Sequence, residues 1–288
     1  MIAAMAGFTI EDAFIKQLSS TVSIGQILIV IGVCSSVFFA LLALTRGHSV
    51  LAPNVWTRAT LTRMCAESIA SMAFVTSLAL VPISTVAAVF QVTPLAITMG
   101  AALFLGESVG WRRWTAVCVG FIGVLLIIRP GFGGFNPSVL WVLVAVLGVA
   151  VRDLVTRVIP SNVQSSIISV QAFLSIAIAG AISLLVSPQD IAPIVGKELV
   201  YFGCGIVFSI SGYYAIVSAM RVGNASIVAS FRYSRLLFSL LVGVFIFDEG
   251  VEMLTLIGSA IIIGTGLYTF LREHQIVIAS RKRAEVAL

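Results

Sequence analysis

Long apolar runs separated by short polar breaks recur along the whole chain. Ten of them approach the length that crosses a bilayer: 1–20, 23–45, 60–80, 83–105, 112–129, 138–159, 164–186, 199–220, 224–247 and 252–271. A helix needs about 20 predominantly apolar residues to span the hydrocarbon core. Spans of that length use most of the chain, leaving connectors and a short tail and no stretch for a soluble catalytic domain. The pattern predicts an all-α integral membrane protein with ten transmembrane helices. The first run is the weakest, because Glu11 and Asp12 interrupt it. A cleaved signal peptide is the alternative there, but the run has no basic leader.

Composition agrees with the pattern. Of 288 residues, 59% are hydrophobic and 10% charged, where a soluble domain carries roughly 25% charged residues. The net charge of +5 follows from where the basic residues sit. With the N-terminus inside, twelve Lys and Arg fall on the inner side and three (Lys16, Arg129 and Lys197) on the outer side. That bias predicts a multi-pass protein of a bacterial-type cytoplasmic (inner) membrane with both termini cytoplasmic. No nucleic-acid partner is needed to explain the charge. The expected partners are the lipid bilayer and a small-molecule substrate, with the chain a monomer or weak homodimer. No cofactor or metal is expected: Cys34, Cys65, Cys118 and Cys204 form no CxxC pair, and His48 and His274 lie apart in connectors.

Shifting the chain by 141 positions aligns it with itself. Asp12 meets Asp153, Lys16 meets Arg157, Ser68-Ile69 meets Ser209-Ile210, Phe90 meets Phe231 and Glu107 meets Asp248. The expected organisation is a first repeat at 1–130, a linker at 131–137, a second repeat at 138–271 and a basic tail at 272–288. Each repeat holds five spans, an odd number, so the two enter the membrane in opposite orientations. Inverted repeats are the architecture of secondary transporters, with the substrate site near the midplane between the halves.

Charges inside the spans mark the candidate site. An ionisable group at mid-membrane costs about 2.5–3.5 kcal/mol unless it is paired or faces water. Arg232 and Arg235 lie within the ninth span, on one helix face. Glu11 and Asp12 of span one, Glu67 of span three, and Arg152 and Asp153 of span six are their candidate partners. The repeat sets Glu11 opposite Arg152, Gln91 opposite Arg232 and Pro94 opposite Arg235. Arg232 is therefore the preferred substrate contact, and its guanidinium suits a carboxylate or phosphate. Tyr233, Gln91, Phe90, Glu67, Ser71, Tyr213, Tyr214 and Arg152 complete the candidate binding set, the aromatic members suiting a ring. Glu11 and Glu67 are candidates for proton coupling, since a carboxylate in a partly desolvated cavity can exchange protons as access alternates. Asp12 with Lys16 and Asp153 with Arg157 read as structural pairs one helical turn apart, and Arg235 as structural. Locked salt bridges that only fix helix register are the alternative for both buried arginines. Pro94 is expected to kink span four. The glycine-rich "RPGFGGFNP" (Arg129 to Pro137) reads as the connection between halves, and Glu107, Glu249 and Glu252 as helix-end charges near water.

Two segments, "LALVPISTVAAVFQVTPLAITMGAALFLGESVGWRRWTAVCVGFIGVLLIIRPG" (Leu78 to Gly131) and "SAMRVGNASIVASFRYSRLLFSLLVGVFIFDEGVEMLTLIGSAIIIGTGLY" (Ser218 to Tyr268), resemble the central signature of EamA-type transporters of the drug/metabolite transporter superfamily. The resemblance implies ten helices in two inverted five-helix EamA repeats around a cavity lined by helices one, three, four, six, eight and nine. "EDAFIK", "RDLVTR" and "FRYSRLLFSLLVGVFIFDE" resemble members described as riboflavin or S-adenosylmethionine uptake carriers. More distant relatives move aromatic amino acids. The leading expectation is a secondary carrier of a small organic metabolite, anionic at one end and aromatic in part, working by alternating access with proton coupling. The alternatives are a broad-specificity exporter of amino acids or drugs and, more remotely, a non-transport membrane partner or intramembrane enzyme. No HExxH, GxSxG or intramembrane GxGD motif is present, so the chain is not expected to be an enzyme.

Overall fold

The computed structural model describes residues 1–106, 110–130, 136–160, 163–187, 190–222 and 231–286. Among them there are helices and no strand. In chain order they are α1 (Ile2–Leu18), α2 (Ile24–Thr45), α3 (Arg58–Leu80), α4 (Ile83–Phe90), α5 (Thr93–Phe104), α6 (Trp111–Ile128), α7 (Leu140–Val158), α8 (Ser165–Val186), α9 (Lys197–Val222), α10 (Ser234–Phe247) and α11 (Met253–Val286). Short 3-10 turns at Pro53–Val55, Pro137–Val139 and Phe231–Tyr233 lead into α3, α7 and α10. Glu107 and most of the expected connection at 131–137 lie outside the described residues.

The sequence predicts ten membrane spans, and the structure bears that out in part. Five helical stretches among the described residues are long and apolar enough to cross: Ile24–Thr45, Ile83–Phe104, Pro137–Val158, Ser165–Val186 and Lys197–Ile216. The shortfall has physical causes. The 17-residue α1 carries Glu11, Asp12 and Lys16, and α3 carries Arg58, Arg63 and Glu67. Trp114–Ile128 and Met253–Tyr268 are apolar but shorter, and α10 is a 14-residue helix. The last helix also runs on to Val286 rather than ending at 271, through a stretch that lacks glycine and proline.

The bundle leaves large side chains uncovered. Val33, Val37, Phe38, Leu41 and Leu44 on α2 and Ile178, Ile182, Leu185 and Val186 on α8 are all exposed. A monomer in water rarely presents contiguous apolar faces of this kind, whereas lipid makes them neutral.

Helix pairing follows the 141-residue offset. α2 packs on α8 and α6 on α11, while α1 packs on α9 and α3 on α7. Each of the first two pairs joins equivalent segments, and the last two are each other's counterparts. At the α2–α8 crossing a Cβ added to Gly32 would come within 2.5 Å of the Ala177 nitrogen and 2.8 Å of the carbonyl oxygen of Phe173, Gly32's own repeat equivalent. Small residues permit this close backbone approach, the usual way membrane helices associate. Gly32→Leu is expected to destabilise the fold by about 1–3 kcal/mol or more through overpacking, read as a lower melting temperature in detergent.

Candidate functional site

The site begins at a break in the fourth span. α4 stops at Phe90 and α5 starts at Thr93, with Pro94 in the first turn of α5, where a missing N–H costs nothing. The Thr93 hydroxyl donates to the Phe90 carbonyl at 2.5 Å. Gln91, buried in the gap, donates through Nε2 to the carbonyls of Tyr233 (3.2 Å) and Arg232 (3.5 Å). The turn Phe231–Tyr233 precedes α10 at the equivalent position of the second repeat. The break in the fourth span therefore meets this turn, and Gln91 touches its own counterpart Arg232.

Beside this meeting point lies a cavity of about 520 Å³. Its lining comes from α1, α3, α7, α9, the broken fourth span and the start of α10 with its leading turn, as the family resemblance implied. It also comes from α2 (Ile27, Leu28, Ile31) and α8 (Ser165, Ile168, Phe173), which the resemblance did not include.

A chain of charges runs along one wall. Arg63 on α3 donates from Nε to the Thr156 hydroxyl at 3.0 Å and holds Nη2 3.5 Å from Glu67. Arg152 on α7 bonds the other Glu67 oxygen at 3.1 Å and Asp153 at 2.8 Å. Arg232 closes the series 3.8 Å from Asp153. In a second ion pair at the cavity, Arg235 donates to Asp12 at 2.6 Å. Its guanidinium lies over the rings of Phe8, Phe74 and Phe90 at 5.3 to 5.6 Å. Glu11 lines the cavity near Ser209.

Several expected positions are corrected. Asp12 does not pair with Lys16, because the Arg235 guanidinium takes its carboxylate. Lys16 turns away and donates to the carbonyls of Leu78 (3.0 Å) and Val81 (2.7 Å), with Glu249 at 3.8 Å. Asp153 faces Arg152 and Arg232, and Arg157 is exposed near the end of α7. Tyr214 is exposed and points away from the cavity lining, and Tyr233 is buried without reaching it. Phe90, Ser71 and Tyr213 do line it. The Ser71 hydroxyl is spent on the Glu67 carbonyl at 2.6 Å, and Tyr213 stands edge-on to Phe39 and Phe173.

Glu249 is a half-buried cap rather than a helix-end charge near water. Asp248 adopts a left-handed backbone (φ 50°), a conformation that aspartate tolerates, and reverses the chain after α10. Glu249 then accepts from the backbone N–H groups of Ile83 (2.6 Å) and Ser84 (3.0 Å) and from the Ser84 hydroxyl (2.7 Å). Glu252 pairs with Arg129.

Arg63 is the functional candidate the sequence reading assigned elsewhere, as one of the orienting charges of an inner loop. It is 4% exposed and lines the cavity. Its spacing of four residues from Glu67 was the available signal. Among the described residues no group of His, Cys, Asp and Glu is placed to hold a metal ion.

A family model described as the EamA-like transporter family matches residues 1–129 and again 136–271. The S-adenosylmethionine uptake transporter of Rickettsia conorii is 30% identical over 199 residues, 69% of this chain and 66% of that protein. The riboflavin transporter of Vibrio cholerae is 30% identical over 185 residues, 64% of this chain and 61% of that protein. The chain thus aligns with about two thirds of the length of these curated relatives. A solved crystal structure shares the fold at a TM-score of 0.60, with 18% identity, covering 95% of this chain and 98% of that one.

Proposed function

The chain belongs to the EamA-like transporter family, and from that premise we propose that it carries a small organic metabolite bearing an anionic group across a bacterial-type inner membrane by alternating access. The observation that supports this most is the cavity of about 520 Å³ beside the contact of the broken fourth span with the turn before α10, within the 300–1,000 Å³ range of small-molecule sites. Arg232 reaches it with an Nε that has no hydrogen-bond partner. Interrupted membrane helices at a repeat interface are where transporters place their substrate.

The architecture we propose is ten helices in two inverted repeats, 1–130 and 138–271, with both termini cytoplasmic. Three features support it: the reciprocal pairing of α1 with α9 and α3 with α7, the Gln91–Arg232 contact and the Gly32–Phe173 crossing. Equivalent residues of an inverted repeat touch only near the symmetry axis, which lies at mid-membrane. On this topology the Lys16–Glu249 end faces outward, and Arg63, Thr156 and Ser165 lie toward the cytoplasm.

The named relatives suggest solutes with a fused ring, and Tyr213, Phe173 and Phe90 offer aromatic surface for one. Of the two acids considered for proton exchange, Glu67 is engaged by Arg63 and Arg152, so Glu11 is the better candidate.

Purified protein in sealed proteoliposomes, offered a metabolite panel with mass spectrometry of the lumen, tests the proposal. Arg232→Ala is expected to lower uptake of the accumulated solute by roughly tenfold to hundredfold, the worth of a hydrogen bond to a charged group. Unchanged uptake in a folded variant would remove Arg232 from the site.

A further inference from the structure

The charges around the cavity are unevenly distributed. On one wall Arg63, Arg152 and Arg232 surround Glu67 and Asp153, three cations to two carboxylates. In a second group, joined by its own ion pair, Arg235 answers Asp12 and Glu11 lines the cavity beside them, one cation to two carboxyl groups. Glu11 makes no ion pair with any described residue.

The surplus on the first wall is chemically open. Arg63 Nη1 and Arg232 Nε are buried and have no hydrogen-bond partner. Arg63 has 4% of its surface exposed, and a donor buried that deeply is costly to leave unpaired. The neighbours do not satisfy it, because Thr156 takes Nε and Glu67 lies against Nη2. An incoming anion is the group that would complete this guanidinium, and its planar fork favours a carboxylate.

We infer that the transported solute is a zwitterion, with its anionic group on the Arg63–Arg232 wall, its cationic group at Glu11, and Arg63 selecting for the anion. A neutral solute leaves both surpluses unanswered, and a simple anion leaves Glu11 unanswered. The inference rests on the carrier reading of the same cavity and narrows it.

Equilibrium binding to the purified full-length chain tests this separately from transport. The probes are S-adenosylmethionine with its decarboxylated form, tryptophan with tryptamine (no carboxylate) and indole-3-propionate (no ammonium), and riboflavin. At least one solute bearing both a carboxylate and an ammonium is expected to bind roughly tenfold to hundredfold more tightly than its counterparts that lack one of the two groups. Arg63→Gln is expected to shrink the carboxylate preference to within about twofold, and Glu11→Gln the ammonium preference likewise. Arg63→Lys, which keeps the charge, restores part of the first. Binding of riboflavin or a probe lacking one of the two groups in preference to every zwitterion overturns the inference, as does the absence of zwitterion binding to the wild type. So does a folded Arg63→Gln variant that weakens both members of a pair alike. If that variant does not fold, the wild-type rank order decides. A zwitterion that binds but never accumulates in sealed vesicles upholds the inference and sinks the carrier reading.

Discussion

Arg235→Ala is expected to lower the stability of the folded protein by about 3–5 kcal/mol, the usual result of removing one partner from a buried ion pair. Asp12 would keep its place with a side chain only 6% exposed and no counterion. The rings of Phe8, Phe74 and Phe90 would lose the cation they share. A cation over an aromatic face contributes about 0.5–2 kcal/mol of its own. The double variant Asp12→Ala/Arg235→Ala removes both charges and should recover much of the loss, so a double-mutant cycle on the melting temperature isolates the pair. If the single variant melts with the wild type, the pair is not what holds α1 against α10.

Glu249→Ala is the second large effect, expected to destabilise by about 3–5 kcal/mol. The carboxylate satisfies two N–H groups at the start of α4 and the Ser84 hydroxyl, and a negative charge at a helix N-terminus is favoured by the helix dipole. It also neutralises Lys16, which would be left with the carbonyls of Leu78 and Val81 alone. Glu249→Gln keeps an acceptor but loses the charge, and should cost less than half as much. Thermal unfolding of both variants in the same detergent checks the order. A glutamine variant that melts with the wild type would show that the charge contributes nothing.

Most of the helices were legible as apolar runs, and the interruption in span four was legible from Pro94. Its location was less so. Proline is tolerated in a first helical turn, so the chain breaks at Gln91 and Val92 and Pro94 opens the next helix. Ion-pair partners were the least legible feature. Lys16 follows Asp12 by one turn and is the obvious local partner, but Arg235, 223 residues away, wins once the fold is formed. Arg63 near the start of α3 looked like an orienting charge because counting basic residues by side ignores depth. Nothing in the local pattern around Glu249 shows that its carboxylate caps a helix in the other repeat.

Four arginines (Arg63, Arg152, Arg232 and Arg235) and four carboxylates (Glu11, Asp12, Glu67 and Asp153) line the cavity. With all of them ionised, the empty cavity carries no net charge as it reorients across the membrane field. One elementary charge moved through 100 mV exchanges about 2.3 kcal/mol with that field. On the proposed cycle, and under that condition, the unloaded return step is voltage-silent, and so is a cavity loaded with a solute of no net charge. An imposed diffusion potential should then leave the uptake rate unchanged unless a proton travels too, in which case each proton adds one elementary charge of current.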